Sequence, residues 1–374
     1  MTQRSANGRP FGRTASALAF ALALAACGGA DTAPLSSDAA SGASVDAPAS
    51  GFDRDSLRIV GSSTVYPFAT TVAEAFGQST GHPSPIVEST GSGGGLKLFC
   101  EGVGADTPDI ANASRRIKES EVALCARNGV ENIVEMKIGY DGIVFANARS
   151  AEPLDLNLRE LYLALARDVP DGSGGFEPNP NTLWSDVDPR LPERPIEVLG
   201  PPPTSGTRDA FVELAMEGGC ETFPEVAALK SADEETFKAR CHTLREDDAF
   251  TEAGEQDNLV ISKLGANPNA FGIFGYGFLD QNRDSVQAVT IDGVEPSFEN
   301  IAANGYPIAR SLYVYIKGEH AGQVPGLQEF AAEFLSPRAA GEDGYLADKG
   351  LIPMPEAERA DFADTVAAMR PMDM

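Results

Sequence analysis

Positive charge is scarce in this 374-residue chain: 29 Lys and Arg stand against 55 Asp and Glu, a formal net charge of −26 with histidine neutral. Such a surface repels nucleic acid and anionic membrane surfaces, which excludes both as partners of the folded part. A small anion is not excluded, because a few aligned N–H dipoles and one or two arginines control the field inside a dry cleft. Histidine is scarcer still, with only His82, His242 and His320, and no cysteine stands in a CxxC pair. That scarcity argues against a zinc site and against metal-assisted catalysis. Long apolar runs are also missing, since nothing after residue 27 approaches the ~18 residues a membrane helix needs.

The N-terminus is patterned differently. Arg4, Arg9 and Arg13 precede the apolar stretch 15–26, the arrangement of a signal peptide over residues 1–26. Its end, "LALAAC", resembles a bacterial lipobox, in which Cys27 carries the lipid and becomes the mature N-terminus. Residues 27–52 are mostly Ala, Ser, Gly, Asp and Pro, too poor in large apolar side chains to form a core, and read as a flexible tether. Four cysteines remain. In an exported chain an even count favours disulfides, and proximity favours Cys100–Cys125 and Cys220–Cys241 over the crossed connectivities.

From residue 57 onward, short apolar runs alternate with helix-like stretches: "LRIV", "PIVES", "DIANAS" and "EMKIGYDGIVFAN", then "PIEVLG" and "YPIARSLYVYIK". Strands that alternate with helices predict an α/β fold with a mainly parallel sheet covered on both faces. Two α/β lobes fit the order better than one continuous sheet, with residues 53–147 plus 308–374 in lobe 1 and 148–307 in lobe 2. The chain is expected to cross between them near 145–149 and to return near 306–317. The stretch "NAFGIFGYGFL" reads as a core helix or a tight packing element, and "SVQAVTIDGVEPS" as hairpin-like.

Three strand-to-helix junctions carry hydroxyls and glycines: "GSSTVYP", "TGSGGGLKLF" and "PTSGTRDAF". A helix N-terminus has unpaired N–H groups and about half a positive charge, so a small anion is held there by donors that cost no proton. Each junction alone is explained as an ordinary N-cap. Three together, each following a strand, point to a shared oxyanion site at the carboxyl ends of the strands. The candidate residues are Ser63, Thr64, Val65, Ser92, Ser205, Gly206 and Thr207. Arg115 and Arg208 add full charges in a planar fork suited to a tetrahedral oxyanion, the alternative being solvated arginines on helix faces. Arg116 is expected to face water. Asp141 reads as either a turn residue or an acceptor for a protonated oxyanion. A buried acceptor of that kind admits hydrogen phosphate and rejects sulfate, whose oxygens carry no proton.

"GSSTVYP", "TGSGGG", "DIANASR" and "SGTRDAF", in that order behind the lipobox, resemble the periplasmic phosphate-binding proteins of ABC phosphate transport, the PstS family. The resemblance covers most of residues 57–355. It implies the class II periplasmic-binding-protein fold, with two lobes joined by a two-segment hinge and one inorganic phosphate clamped between them. It further implies a non-enzymatic, monomeric receptor without a cofactor. Such a receptor sits in the periplasm or on the outer face of the cytoplasmic membrane, held only by its lipid, and delivers phosphate to the transmembrane subunits of an ABC permease. Thr64 with Val65 matches the family's first-loop hydroxyl and amide, Ser92 its second-loop serine, and Ser205, Gly206 and Thr207 its third-loop cradle. Two positions depart from the best-known form: Arg115 stands where an acidic residue is common, and Pro201 where an arginine is expected. The alternatives are a receptor for sulfate, molybdate or a phosphonate, and a secreted phosphoester hydrolase.

Overall fold

A computed structural model describes residue 52, residues 54–254 and residues 256–373. The signal peptide, Cys27 and the tether lie outside the described residues, apart from residue 52 at the tether's end. The frame is a nine-stranded sheet made of β1 (Arg58–Gly61), β2 (Ile86–Ser89), β3 (Ile110–Ala113), β4 (Ile133–Ala148), β5 (Val198–Gly200), β6 (Phe250–Glu252), β7 (Phe271–Gly275), β8 (Val286–Ala288) and β9 (Ala309–Lys317). Their order is β2-β1-β3-β9-β4-β7-β5-β6, with β8 also paired to β4. The outer pairs run parallel, as βαβ connections require, and the pairs made by β4 and β9 run antiparallel.

Strand β4 is 16 residues long and serves both halves of the sheet. Residues from Ile133 to Gly142 pair with β9, and those from Ile143 onward pair with β7 and β8. The change of partner falls at Gly142–Ile143, upstream of the crossing expected at 145–149, because antiparallel pairing with β7 already begins at Ile143. Within the first half the register slips by one residue: Lys137 faces Tyr313 and Gly139 faces Leu312, so Ile138 is a β-bulge. The slip lets Lys137 and Tyr140, three residues apart, both reach Glu358, at 2.9 Å each.

Helices cover the sheet where the sequence alternation places them. Helix α1 (Tyr66–Ser79) follows β1 with Pro67 in its first turn, and it buries Phe68, Ala69, Val72, Ala73 and Phe76 at helical spacing. Helix α2 (Ser92–Phe99) follows β2 and lies hard against β1. A Cβ on Gly95 would stand 2.4 Å from the Gly61 Cα, and Gly61 itself has φ +137°. Neither position has room for a side chain. Gly95→Ala is therefore expected to cost about 1–3 kcal/mol of stability, read by urea denaturation, because a backbone has to shift to admit the methyl. An unchanged midpoint would show that α2 is free to move off β1.

The expected disulfides Cys100–Cys125 and Cys220–Cys241 are both formed. The stretch expected as a core helix or packing element divides into β7, which pairs with β4, and a short helix at Tyr276–Gln281. A five-residue apolar run gives no period to separate strand from helix, and the unpaired edge of β4 decides it. The hairpin-like stretch does turn back at Asp292 and Gly293, with φ of 52° and 74°, closed by an Ile291–Val294 bridge. Its first strand nevertheless pairs with β4. No helix among the described residues is long and apolar enough to cross a membrane.

Candidate functional site

The loop that leaves β1 tightens at once into α1. The Ser62 carbonyl accepts the Tyr66 amide at 3.0 Å, which buries Thr64 and Val65 beneath the helix start. Across from it, the loop after β5 opens a continuous helical segment, α3 (Gly206–Phe211) running into a π-turn at Val212–Met216. Ser205 caps this helix, its hydroxyl accepting the Thr207 amide at 3.2 Å. The two loops approach closely, with the Gly206 Cβ direction ending 4.0 Å from the Thr64 Cα.

Between them is a cavity of about 160 Å³ lined by Thr64, Asp141, Gly206, Thr207, Asp257 and Gly275 among others. Two of its lining residues, Thr64 and Asp141, are bonded to a cation that the sequence pattern does not single out. Arg310, at the start of β9 and opposite Asp141 in the ladder, donates to the Thr64 hydroxyl at 2.7 Å, to Asp141 at 3.4 Å and to Glu213 at 2.5 Å. Its side chain is only 11 % exposed. Burial pushes the Asp141 carboxyl up, and the Arg310 guanidinium opposes that rise. Asp209, on the same helix as Thr207, is likewise raised by burial, with the Ser63 hydroxyl working in the other direction.

Of the sequence-predicted residues, Thr64, Asp141, Gly206 and Thr207 share this cavity. Ser63, Val65 and Ser205 belong to its two loops without lining it. Ser92, Arg115 and Arg208 stand apart from the lining. The Ser92 hydroxyl is 3.0 Å from that of Ser114 and accepts the Ser114 amide, which ties the start of α2 to the end of β3. Arg115 is held by both oxygens of Glu121, at 2.7 and 2.9 Å, a bond that raises its pKa further. Arg208 donates to the Pro201 carbonyl at 3.0 Å and lies over the Phe250 ring, and burial lowers its pKa. Arg116 pairs with Glu135 and has a side chain 57 % exposed, as a water-facing residue should.

A larger open depression of about 970 Å³ is lined by Asp280, Glu299, Glu342, Asp343 and Glu356 as well as Arg283 and Arg359. Its acidic excess makes it the wrong place for an anion. No group of three or more metal-ligating side chains occurs among the described residues.

The small cavity's lining brings together the Thr64 hydroxyl and the helix start at Gly206–Thr207 from two loops, chemistry compatible with a small oxyanion, with the Asp141 and Asp257 carboxylates close by.

Residues 46–338 match the PBP superfamily domain. The chain is 30 % identical to Protein SphX of Synechocystis sp. over 310 residues, 80 % of this chain and 79 % of the relative. It is 26 % identical to the phosphate-binding protein PstS of Staphylococcus saprophyticus over 357 residues, 93 % of this chain and 90 % of the relative. In three dimensions it resembles the crystal structure of a possible phosphate-binding protein from Planctomyces limnophilus, with a TM-score of 0.66, 24 % identity, and coverage of 84 % of this chain and 98 % of that one. From the sheet that β4 threads, the loops that converge on its cleft and the domain match along most of its length, this chain belongs to the PBP superfamily, with the PstS phosphate-binding proteins among its relatives.

Proposed function

We propose that this protein is the phosphate-binding component of an ABC transporter, a receptor and not an enzyme. The observation that carries the proposal is the meeting of Thr64, Gly206 and Thr207 at one small cavity, with the Arg310 guanidinium bonded to the Thr64 hydroxyl, in a chain whose relatives include phosphate-binding PstS proteins. In this reading the Thr64 hydroxyl, the amides of the Gly206–Thr207 turn and the Arg310 guanidinium hold the phosphate oxygens. Asp141 orients Arg310. Ser63, Val65 and Ser205 shape the two loops, while Ser92, Arg115 and Arg208 act at the rim of the cleft.

The two sheet halves that meet at Gly142–Ile143 serve as two lobes, with β4 and the start of β9 as the hinge. Phosphate touches loops from both, so it stabilises the closed arrangement by its differential affinity for that state. The processed chain is a monomer held on the outer side of the cytoplasmic membrane by a lipid on Cys27. It passes phosphate to the permease's transmembrane subunits.

Calorimetric titration of the anion-stripped protein tests this directly. Phosphate is expected to bind with a Kd on the order of 1 µM or tighter, corresponding to about −8 kcal/mol. An equal excess of sulfate should fail to displace it. Absence of heat with phosphate would end the receptor reading, and preferential sulfate binding would replace the ligand while leaving the oxyanion site.

A further inference from the structure

We propose that Lys349 is the free cation of the anion cavity, drawing the oxyanion in and lying against it once bound, an inference that deepens the phosphate reading above and rests on it. Among the lining residues the charged side chains are Asp141, Asp257 and Lys349. Arg310 is bonded to Thr64, and two carboxylates, Asp141 and Glu213, share its guanidinium. Asp209 adds a further carboxyl group beside the Ser63 hydroxyl, on the helix that carries Thr207. Without Lys349 the set is one guanidinium among four carboxyl groups. A divalent anion entering such a set meets net repulsion unless another cation takes part.

The arginines nearest in sequence to the helix-start loops are already engaged, Arg115 by Glu121 and Arg208 by the Pro201 carbonyl. Lys349 is not. It ends the short turn Ala347–Lys349 and is exposed. Among the described residues its ammonium has no hydrogen-bond or ion-pair partner. It also comes from neither of the two helix-start loops, so it adds a third side to the anion's surroundings.

The backbone beneath this side chain is fixed. The Gly350 amide donates to the Ala347 carbonyl at 2.9 Å, and the Leu351 amide to the Leu346 carbonyl at 3.1 Å. Ile352 then exchanges both backbone bonds with Tyr140 at 2.9 Å each, and Tyr140 is the neighbour of Asp141 on β4. Gly350, with φ +94°, lets the chain turn back toward that strand. A hydrated ammonium on a flexible four-carbon stem, carried by a fixed turn, acts as a movable point charge rather than a preset fork. Its contribution is therefore expected in the association rate, where salt screens it, as well as in affinity.

The test uses the processed chain, purified in detergent and freed of bound anion, as wild type, Lys349→Gln, Lys349→Arg and Lys238→Gln. Lys238 is a surface lysine paired with Glu234 and outside the lining, so it controls for the loss of one charge from the whole chain. With inorganic phosphate at pH 7.5, calorimetry should show Lys349→Gln binding about 10–100-fold more weakly than wild type. Stopped-flow mixing should show its association rate at low salt reduced about 3–10-fold and less dependent on ionic strength. Lys349→Arg should stay within about threefold of wild type, because it keeps the charge on a long stem. Lys238→Gln should bind and associate as wild type does. Wild-type affinity and salt dependence in Lys349→Gln overturn the inference. Equal losses in the Gln and Arg variants overturn it too, since they mark a structural role.

The bound state has its own readout, independent of any variant. Phosphate far above its Kd should slow acetylation of Lys349, followed by mass spectrometry, about tenfold or more while leaving Lys238 unchanged. Unchanged reactivity of Lys349 in the complex would place its ammonium in water and sink the inference. A wild type that binds no phosphate at all overturns the reading beneath it, which is a separate and recognisable result.

Discussion

Arg310→Ala is expected to lower phosphate affinity by about 10³-fold, enough to abolish binding at micromolar ligand. Truncating one member of a buried, hydrogen-bonded charge pair costs about 2–5 kcal/mol, and each 1.4 kcal/mol is a factor of ten. Arg310 has three partners, Thr64, Asp141 and Glu213, and its side chain is 11 % exposed, so water cannot take its place cheaply. Its loss also leaves Asp141 buried without a cation. Burial then pushes the carboxyl still further above its ordinary range, with no guanidinium to oppose the rise. Arg310→Lys keeps the charge but not the fork, and cannot meet Thr64 and both carboxylates at once, so a loss of about 10–100-fold is expected. Calorimetry on the two variants measures both effects. Wild-type affinity in Arg310→Ala would remove Arg310 from the site.

The largest effect on stability is expected at the opposite end of the same strands. Asp109 is fully buried just before β3. It accepts from Arg54 at 2.5 and 2.8 Å and from the Arg58 amide at 2.8 Å, and its oxygen lies 2.7 Å from His320 Nδ1. His320 Nε2 accepts the Gly104 amide at 3.2 Å, which fixes the ring proton on Nδ1, pointing at Asp109. One carboxylate thus joins the segment entering the domain, the first strand and the turn after β9.

Asp109→Ala takes the carboxylate from the Arg54 guanidinium, which keeps only the Ser56 and Thr107 carbonyls, and leaves the imidazole N–H without an acceptor, a change worth about 3–5 kcal/mol. In a domain of this size that corresponds to a fall in Tm on the order of 10 °C. The oxyanion loops follow the carboxyl ends of the strands and Asp109 precedes their amino ends. Phosphate affinity of the folded protein should therefore stay within about threefold of wild type. Thermal unfolding and calorimetry on one preparation separate the two quantities. A Tm within 2–3 °C of wild type would show that the cluster is solvated, and a large loss of affinity would show that it is coupled to the site.

Several residues of this cavity's lining are legible in the sequence. Thr64, Gly206 and Thr207 announce themselves as hydroxyls and glycines at strand-to-helix junctions, which local chemistry alone marks. Asp141 is visible as a residue and ambiguous as a role. Arg310 is hidden because its partners are 246 and 169 residues away and because "YPIARSLYVYIK" reads as an alternating core strand. Its one signal is a cation in the first positions of a strand otherwise apolar on its buried face. Asp257 is lost in an acidic stretch whose composition resembles a solvated surface. Arg115 is conspicuous in the sequence but stands apart from the cavity lining, since Glu121, only six residues on, takes up its fork. A helix-start glutamate reaching back to a strand-end arginine leaves no period in the sequence to announce it.

The bulge at Ile138 acts on β4 as an inserted letter acts on a reading frame. Upstream of it, odd-numbered residues share a face with Lys137; downstream, odd-numbered residues occupy the other face and even-numbered Tyr140 joins Lys137 at Glu358. Asp141 owes its place in the cavity to that shift of phase. Deleting Ile138 while keeping every other residue would exchange the two faces and turn the carboxylate toward the helix that carries Glu358. What a homologue has to preserve here is therefore a parity as well as an aspartate, and one lost residue among 374 suffices to break it.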